Sequence, residues 1–134
     1  MKKLNNFIDG KSLPAKSGAT SEIINPATGS AYATAPVSGA ADVDSALSAA
    51  SKAFVEWRET TPAERQRALN KIADALEARS EELIAIEVEN TGKPVSLTTS
   101  EEVPPMLDQI RFFAGAARNL EGKSAGEYMR GMTS

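Results

Sequence analysis

The hydrophobic period changes along the chain and separates it into three kinds of segment. Residues 7 to 37 read as short strands and turns. Phe7-Ile8 runs into Asp9-Gly10, a pair suited to a two-residue type I′ hairpin because both positions need a positive φ. Glu22-Ile23-Ile24-Asn25 and Tyr32-Ala33-Thr34-Ala35 flank a turn at Asn25-Pro26-Ala27-Thr28-Gly29. A ribbon of two such strands needs something to pack on.

From Gly39 to about Gly122 the period becomes helical. Val43, Ala46, Leu47, Ala50, Phe54 and Trp57 make one apolar face. Thr61-Pro62-Ala63-Glu64 predicts a capping box with proline at the first helical position, followed by a buried face of Leu69, Ile72, Ala73 and Leu76. Ser80 is read as the cap of a third helix through Leu83, Ile84 and Val88, stopping at Gly92 with Pro94 beyond. Thr99-Ser100-Glu101-Glu102 reads as a second capping box, ahead of Met106, Leu107, Ile110, Phe113, Ala114 and Ala117 and a stop at Gly122. Pro104 and Pro105 fit only a first turn, which places the start of that helix near Glu102. The tail from Lys123 to Ser134 has no capping or closing signal and reads as cut off.

Composition narrows the chemistry. The 134 residues suit one domain and contain no histidine and no cysteine. That removes a Ser-His-Asp triad, a thiolate nucleophile, a Cys/His zinc site and disulfides from this chain. A net charge of −3, from 15 basic and 18 acidic residues, argues against a nucleic-acid partner. Apolar runs span only a few residues, too short for a membrane, and the basic amino terminus lacks the apolar stretch of a secretory signal. The expectation is a soluble, cytoplasmic protein.

No Gly-x-Gly-x-x-Gly or P-loop spacing is present, so no nucleotide site is visible. Gly92-Lys93-Pro94 reads as a helix stop and turn rather than a catalytic lysine. Glu101 and Glu102 have two readings: capping a helix amino terminus, or anchoring a cationic ligand. Pro105, Met106 and Gln109 share a helical stripe with Glu102, and Asp108 does not. Phe112, Phe113 and Trp57 read as core. Glu77, Arg79, Glu81 and Glu82 read as a solvated face. Asn25-Pro26 and Asn90 could offer carbonyls to a cation.

Taken in order, Phe7-Ile8-Asp9-Gly10, Ile24-Asn25-Pro26-Ala27-Thr28-Gly29, Ala50 to Trp57, Arg65 to Leu76 and Asn90-Thr91-Gly92-Lys93-Pro94 resemble the NAD(P)-dependent aldehyde dehydrogenases. Arg111-Phe112-Phe113-Ala114-Gly115-Ala116-Ala117-Arg118, with Gly122 and Ala125-Gly126-Glu127-Tyr128, resembles the aminobutyraldehyde branch, which oxidises ω-aminoaldehydes from polyamine breakdown; betaine aldehyde dehydrogenases are similar.

The resemblance implies an α/β fold of aldehyde dehydrogenase type, of which this chain is the amino-terminal part. Residues 1–38 would form a β-ribbon segment, 39–122 three to four helices covering the Rossmann-type NAD-binding domain, and 123–134 the start of an oligomerisation arm. It also implies an NAD cofactor, catalytic cysteine and glutamate beyond Ser134, a small aldehyde substrate and a homo-oligomeric full-length enzyme.

Glu102, Pro105, Met106 and Gln109 would line the mouth of the aldehyde tunnel, Glu102 matching an acidic position and Pro105 standing where those enzymes carry a second acid. A monovalent cation site would lie near Ile24 and Asn90, with Asn90 replacing a common aspartate. The alternative is a stand-alone helical binding module without catalysis. Uncovered apolar helix faces favour the enzyme part; a compact, cooperatively melting monomer favours the module.

Overall fold

A computed structural model describes residues 1–119, 127–129 and 131–133. The chain falls into two compact units, Met1–Arg58 with Glu89–Gly92, and Glu59–Val88 with Lys93–Ser134.

In the first unit, β1 (Lys2–Lys3), β5 (Ser30–Pro36) and β4 (Thr20–Asn25) form a three-stranded sheet in the order β1-β5-β4, while β2 (Asn6–Ile8) and β3 (Lys11–Leu13) form a separate hairpin. The Asp9-Gly10 expectation holds: Ile8 pairs with Lys11, and Asp9 and Gly10 have φ of 52° and 73°. The β4–β5 turn also forms as expected. Asn25 accepts the Ala27 amide through its side chain at 2.9 Å and the Gly29 amide through its carbonyl at 2.8 Å. A register shift between Ile23 and Ile24 leaves Tyr32 as the extra residue of a β-bulge, and Ala33 is fully buried. Strand β1 was not expected, because two lysines carry no strand pattern. Backbone pairing of Lys2 with Ala33 and Lys3 with Thr34 creates it.

Helix α1 (Ala40–Trp57) follows Gly39. Its expected apolar face is not covered: Val43, Leu47, Phe54 and Trp57 are all exposed, Leu47 by 61%. The less exposed stripe is instead Asp42, Ser45 and Ala49, small or polar residues at helical spacing. Asp42 is buried, accepting the Gly39 amide at 3.0 Å and the Lys16 amide at 2.9 Å.

The second unit is mainly helical. Helix α2 (Pro62–Glu77) begins with the expected capping box: the Glu64 amide donates to Thr61 Oγ1 at 3.3 Å, and the Thr61 amide donates to Glu64 Oε2 at 2.8 Å. Helix α3 (Ser80–Thr91) ends at Gly92, whose φ of 73° is the left-handed stop expected there. Ser80 is not a cap; its hydroxyl donates to Glu77 O at 2.7 Å, closing the end of α2.

The next helical stretch begins earlier than expected, with α4 (Val95–Leu97), a π-helical turn (Thr98–Glu102) and α5 (Val103–Ala116). Thr99 and Ser100 do not cap, since their hydroxyls donate back to Val95 O and Ser96 O. Pro104 and Pro105 cannot donate to the preceding turn, and the chain widens just before them so that the Val103 amide reaches Thr98 O. The prolines therefore mark the start of α5, as read, but not the start of the helical stretch.

Helix α5 packs on α2 around Ala73, Leu107 and Ala114, all buried. Ile72, Met106 and Phe113, expected inward, are exposed, and Phe112 and Phe113 meet edge to face at 5.4 Å with exposures of 68% and 60%. Helix α5 stops at Ala116, where the Arg118 and Asn119 amides close the last turn on Gly115 O and Ala116 O. Gly122, expected as the stop, lies outside the described residues. Within the expected arm, β6 (Glu127–Met129) and β7 (Met132–Thr133) pair antiparallel.

Candidate functional site

The acidic position singled out by sequence, Glu102, ends the π-helical turn. Its half-buried carboxylate is taken by Lys93, whose Nζ lies 2.9 Å from Oε1 and 3.0 Å from Oε2. The same ammonium donates to Glu87 Oε1 at 3.1 Å. One cation on the α3–α4 connection therefore joins the end of α3 to the π turn. Donating to Glu102 first, then to Glu87, raises the Lys93 pKa above its ordinary value. The lysine read as part of a turn is thus an electrostatic link, and sequence reading missed its partners. A lysine just after a helix stop, six residues from one glutamate and nine from another, was the available signal.

Pro105, Met106 and Gln109 stand on α5 at helical spacing, and all three are exposed. A second link on the same helix was also missed. Arg111 donates to Asp74 Oδ1 at 3.0 Å and to Glu77 Oε2, tying α5 to α2, and those two carboxylates hold its pKa above the ordinary range. Asp74 and Glu77, three apart on one face of α2, were the legible half of that pattern. Arg79 and Glu82, in the run read as a solvated face, form an exposed pair at 2.7 Å.

Ile24 and Asn90 lie in the first unit. Ile24 is an exposed residue of β4 opposite Ala31. Asn90 accepts the Tyr32 hydroxyl at 3.1 Å through Oδ1. Two residues on, Gly92 sits so close to the β4–β5 turn that a Cβ there would lie 2.9 Å from Pro26 Cγ. The described residues contain no group of three His, Cys, Asp or Glu side chains able to hold a metal, and no described helix is long and apolar enough to cross a membrane.

The sequence model of the aldehyde dehydrogenase family matches residues 13–134. Acetaldehyde dehydrogenase 2 of Cupriavidus necator is 41% identical over 117 residues, covering 87% of this chain and 23% of that protein. Human 2-aminomuconic semialdehyde dehydrogenase is 40% identical over 114 residues, covering 85% and 23%. The solved NAD-dependent aldehyde dehydrogenase of Sinorhizobium meliloti superposes with a TM-score of 0.84 at 37% identity, over 95% of this chain and 26% of its own. The NAD+ complex of a Bacillus cereus aldehyde dehydrogenase gives 0.85 at 29% identity, over 98% and 27%. The chain spans about a quarter of the length of the curated relatives it matches. These likenesses bear out the expected α/β fold and the resemblance stated at family level: the chain belongs to the aldehyde dehydrogenase family.

Proposed function

We propose that this chain is the amino-terminal part of an NAD-dependent aldehyde dehydrogenase that oxidises ω-aminoaldehydes, such as 4-aminobutyraldehyde, to carboxylic acids through a cysteine thioester. The observation that carries the reading is the uncovered apolar stripe of α1 in a chain of this family. Covering side chains such as Val43, Leu47 and Phe54 would contribute on the order of several kcal/mol. That favours a surface made to pack on further protein over a finished binding module.

With no cysteine in its 134 residues, the chain cannot supply the nucleophile and is expected to be inactive alone. NAD, bound by the remaining enzyme, supplies the hydride acceptor when present. The relatives' NAD complexes support that cofactor, and the lack of a Gly-rich phosphate turn in this chain agrees with its lying elsewhere.

The role of this chain is then scaffold and tunnel rim. Glu102, with Pro105, Met106 and Gln109 along the same helical stripe, would border the mouth, where a carboxylate attracts the substrate ammonium. Ile24 and Asn90 would stand near a monovalent cation held by neutral oxygens. Asn90 brings an amide oxygen already engaged by Tyr32, a donor set suited only to a weakly held ion. The full-length enzyme would be a cytoplasmic homo-oligomer.

The test is Glu102→Gln in the full-length enzyme, with kcat/KM measured for an aminoaldehyde and for a neutral aldehyde of equal length. Use of the aminoaldehyde is expected to fall more. Equal loss for both would overturn the anchor role.

A further inference from the structure

Lys93 is the residue that the proposed chemistry leaves unused, and its geometry bears directly on substrate charge. Its Nζ lies within 3.1 Å of carboxylate oxygens of both Glu87 and Glu102, and about two fifths of its side chain is exposed. A substrate ammonium approaching Glu102 therefore meets a carboxylate that already holds a cation. Two cations cannot share one carboxylate at hydrogen-bond distance without repelling each other, so the ammonium must displace Lys93 or accept a weaker contact.

Glu87 bears on how firmly Lys93 sits on Glu102, because the two carboxylates divide the three N–H donors of one ammonium between them. We propose that Lys93 is a specificity-determining residue that lowers the enzyme's preference for cationic over neutral aldehydes by occupying Glu102, with Glu87 setting the strength of that occupation. The inference rests on the tunnel-rim reading of Glu102.

The selectivity ratio, kcat/KM for 4-aminobutyraldehyde over kcat/KM for butyraldehyde, is measured in the full-length enzyme. Lys93→Met is expected to raise the ratio about three- to fivefold, the size of one partly exposed ion pair. The change should sit in KM for the cationic aldehyde, since binding rather than chemistry is altered. Glu87→Gln should lower the ratio by driving Lys93 fully onto Glu102, and Lys93→Arg should keep it near the wild-type value.

A merely structural lysine would impair both substrates alike. If Glu102→Gln lowers the ratio while Lys93→Met leaves it unchanged or lowers it, the proposal for Lys93 is overturned and the rim reading stands. If Glu102→Gln leaves the wild-type ratio unchanged, the rim reading and the proposal that rests on it are both overturned. Should Lys93→Met fail to fold, Glu87→Gln decides alone, because an unchanged or raised ratio contradicts the competition between the two carboxylates.

Discussion

Replacing Gly92 by alanine probes the contact between the end of α3 and the β4–β5 turn. Gly92 has a φ of 73°, and its alanine Cβ would stand 2.9 Å from Pro26 Cγ and 3.6 Å from Pro26 Cβ. Two costs add. The left-handed backbone is disfavoured for an L-residue by about 1–2 kcal/mol, partly offset by the reduced freedom of the unfolded chain. The contact is well inside the ~3.5–4.0 Å optimum for carbon pairs, and a proline ring cannot swing aside, so overpacking adds about 1–3 kcal/mol. The sum is about 2–4 kcal/mol.

Gly10→Ala is the control, because Gly10 has the same φ of 73° with nothing within 4 Å of its added Cβ. It should cost only the backbone share. Urea unfolding followed by circular dichroism gives both values from the midpoints at a common slope. Pro26→Ala removes Cγ, so in the double variant with Gly92→Ala most of the contact cost should disappear. The reasoning is refuted if Gly92→Ala costs no more than Gly10→Ala, or if Pro26→Ala and Gly92→Ala are simply additive.

The remaining predictions concern caps. The Gly39 amide first, then the Lys16 amide, hold the Asp42 carboxyl below its ordinary value of 3.8. Its contribution to stability is then fully present above that value and is lost as pH falls through the lower, folded one. Asp42→Asn should reduce the thermal midpoint at neutral pH and narrow its difference from wild type on acidification; a difference that stays constant into strong acid would contradict this. Thr61→Ala should cost about 1 kcal/mol by removing the acceptor for the Glu64 amide, whereas Thr61→Ser should keep most of it. Equal denaturation midpoints for the alanine and serine variants would show that the hydroxyl does not stabilise α2.

What could be read in advance was local chemistry. Asp9-Gly10, the Thr61–Glu64 box and the Gly92 stop each need only neighbouring residues to act, so sequence sufficed. The apolar period of α1 was equally plain, yet period reports which face is apolar and not whether this chain covers it. Phe112 and Phe113 were misjudged as core for that reason. The π-helical turn was hidden because it depends on where the Val103 amide goes once Pro104 and Pro105 offer none. Strand β1 comes from backbone pairing alone, without a side-chain signature. At the candidate site, Glu102 was visible as an acid at a helix start. Its pairing with Lys93 was not, because nine residues and a change of element separate them.

The central claim, that this chain is the scaffold and rim of a larger aldehyde dehydrogenase, is tested most directly by sequencing the reading frame past the codon for Ser134 in the source DNA. The account predicts that the frame continues into a Gly-rich strand-turn-helix and, later, a cysteine and a glutamate able to form and hydrolyse the thioester. A stop codon immediately after Ser134 would contradict it, since a cysteine-free chain cannot carry out that oxidation.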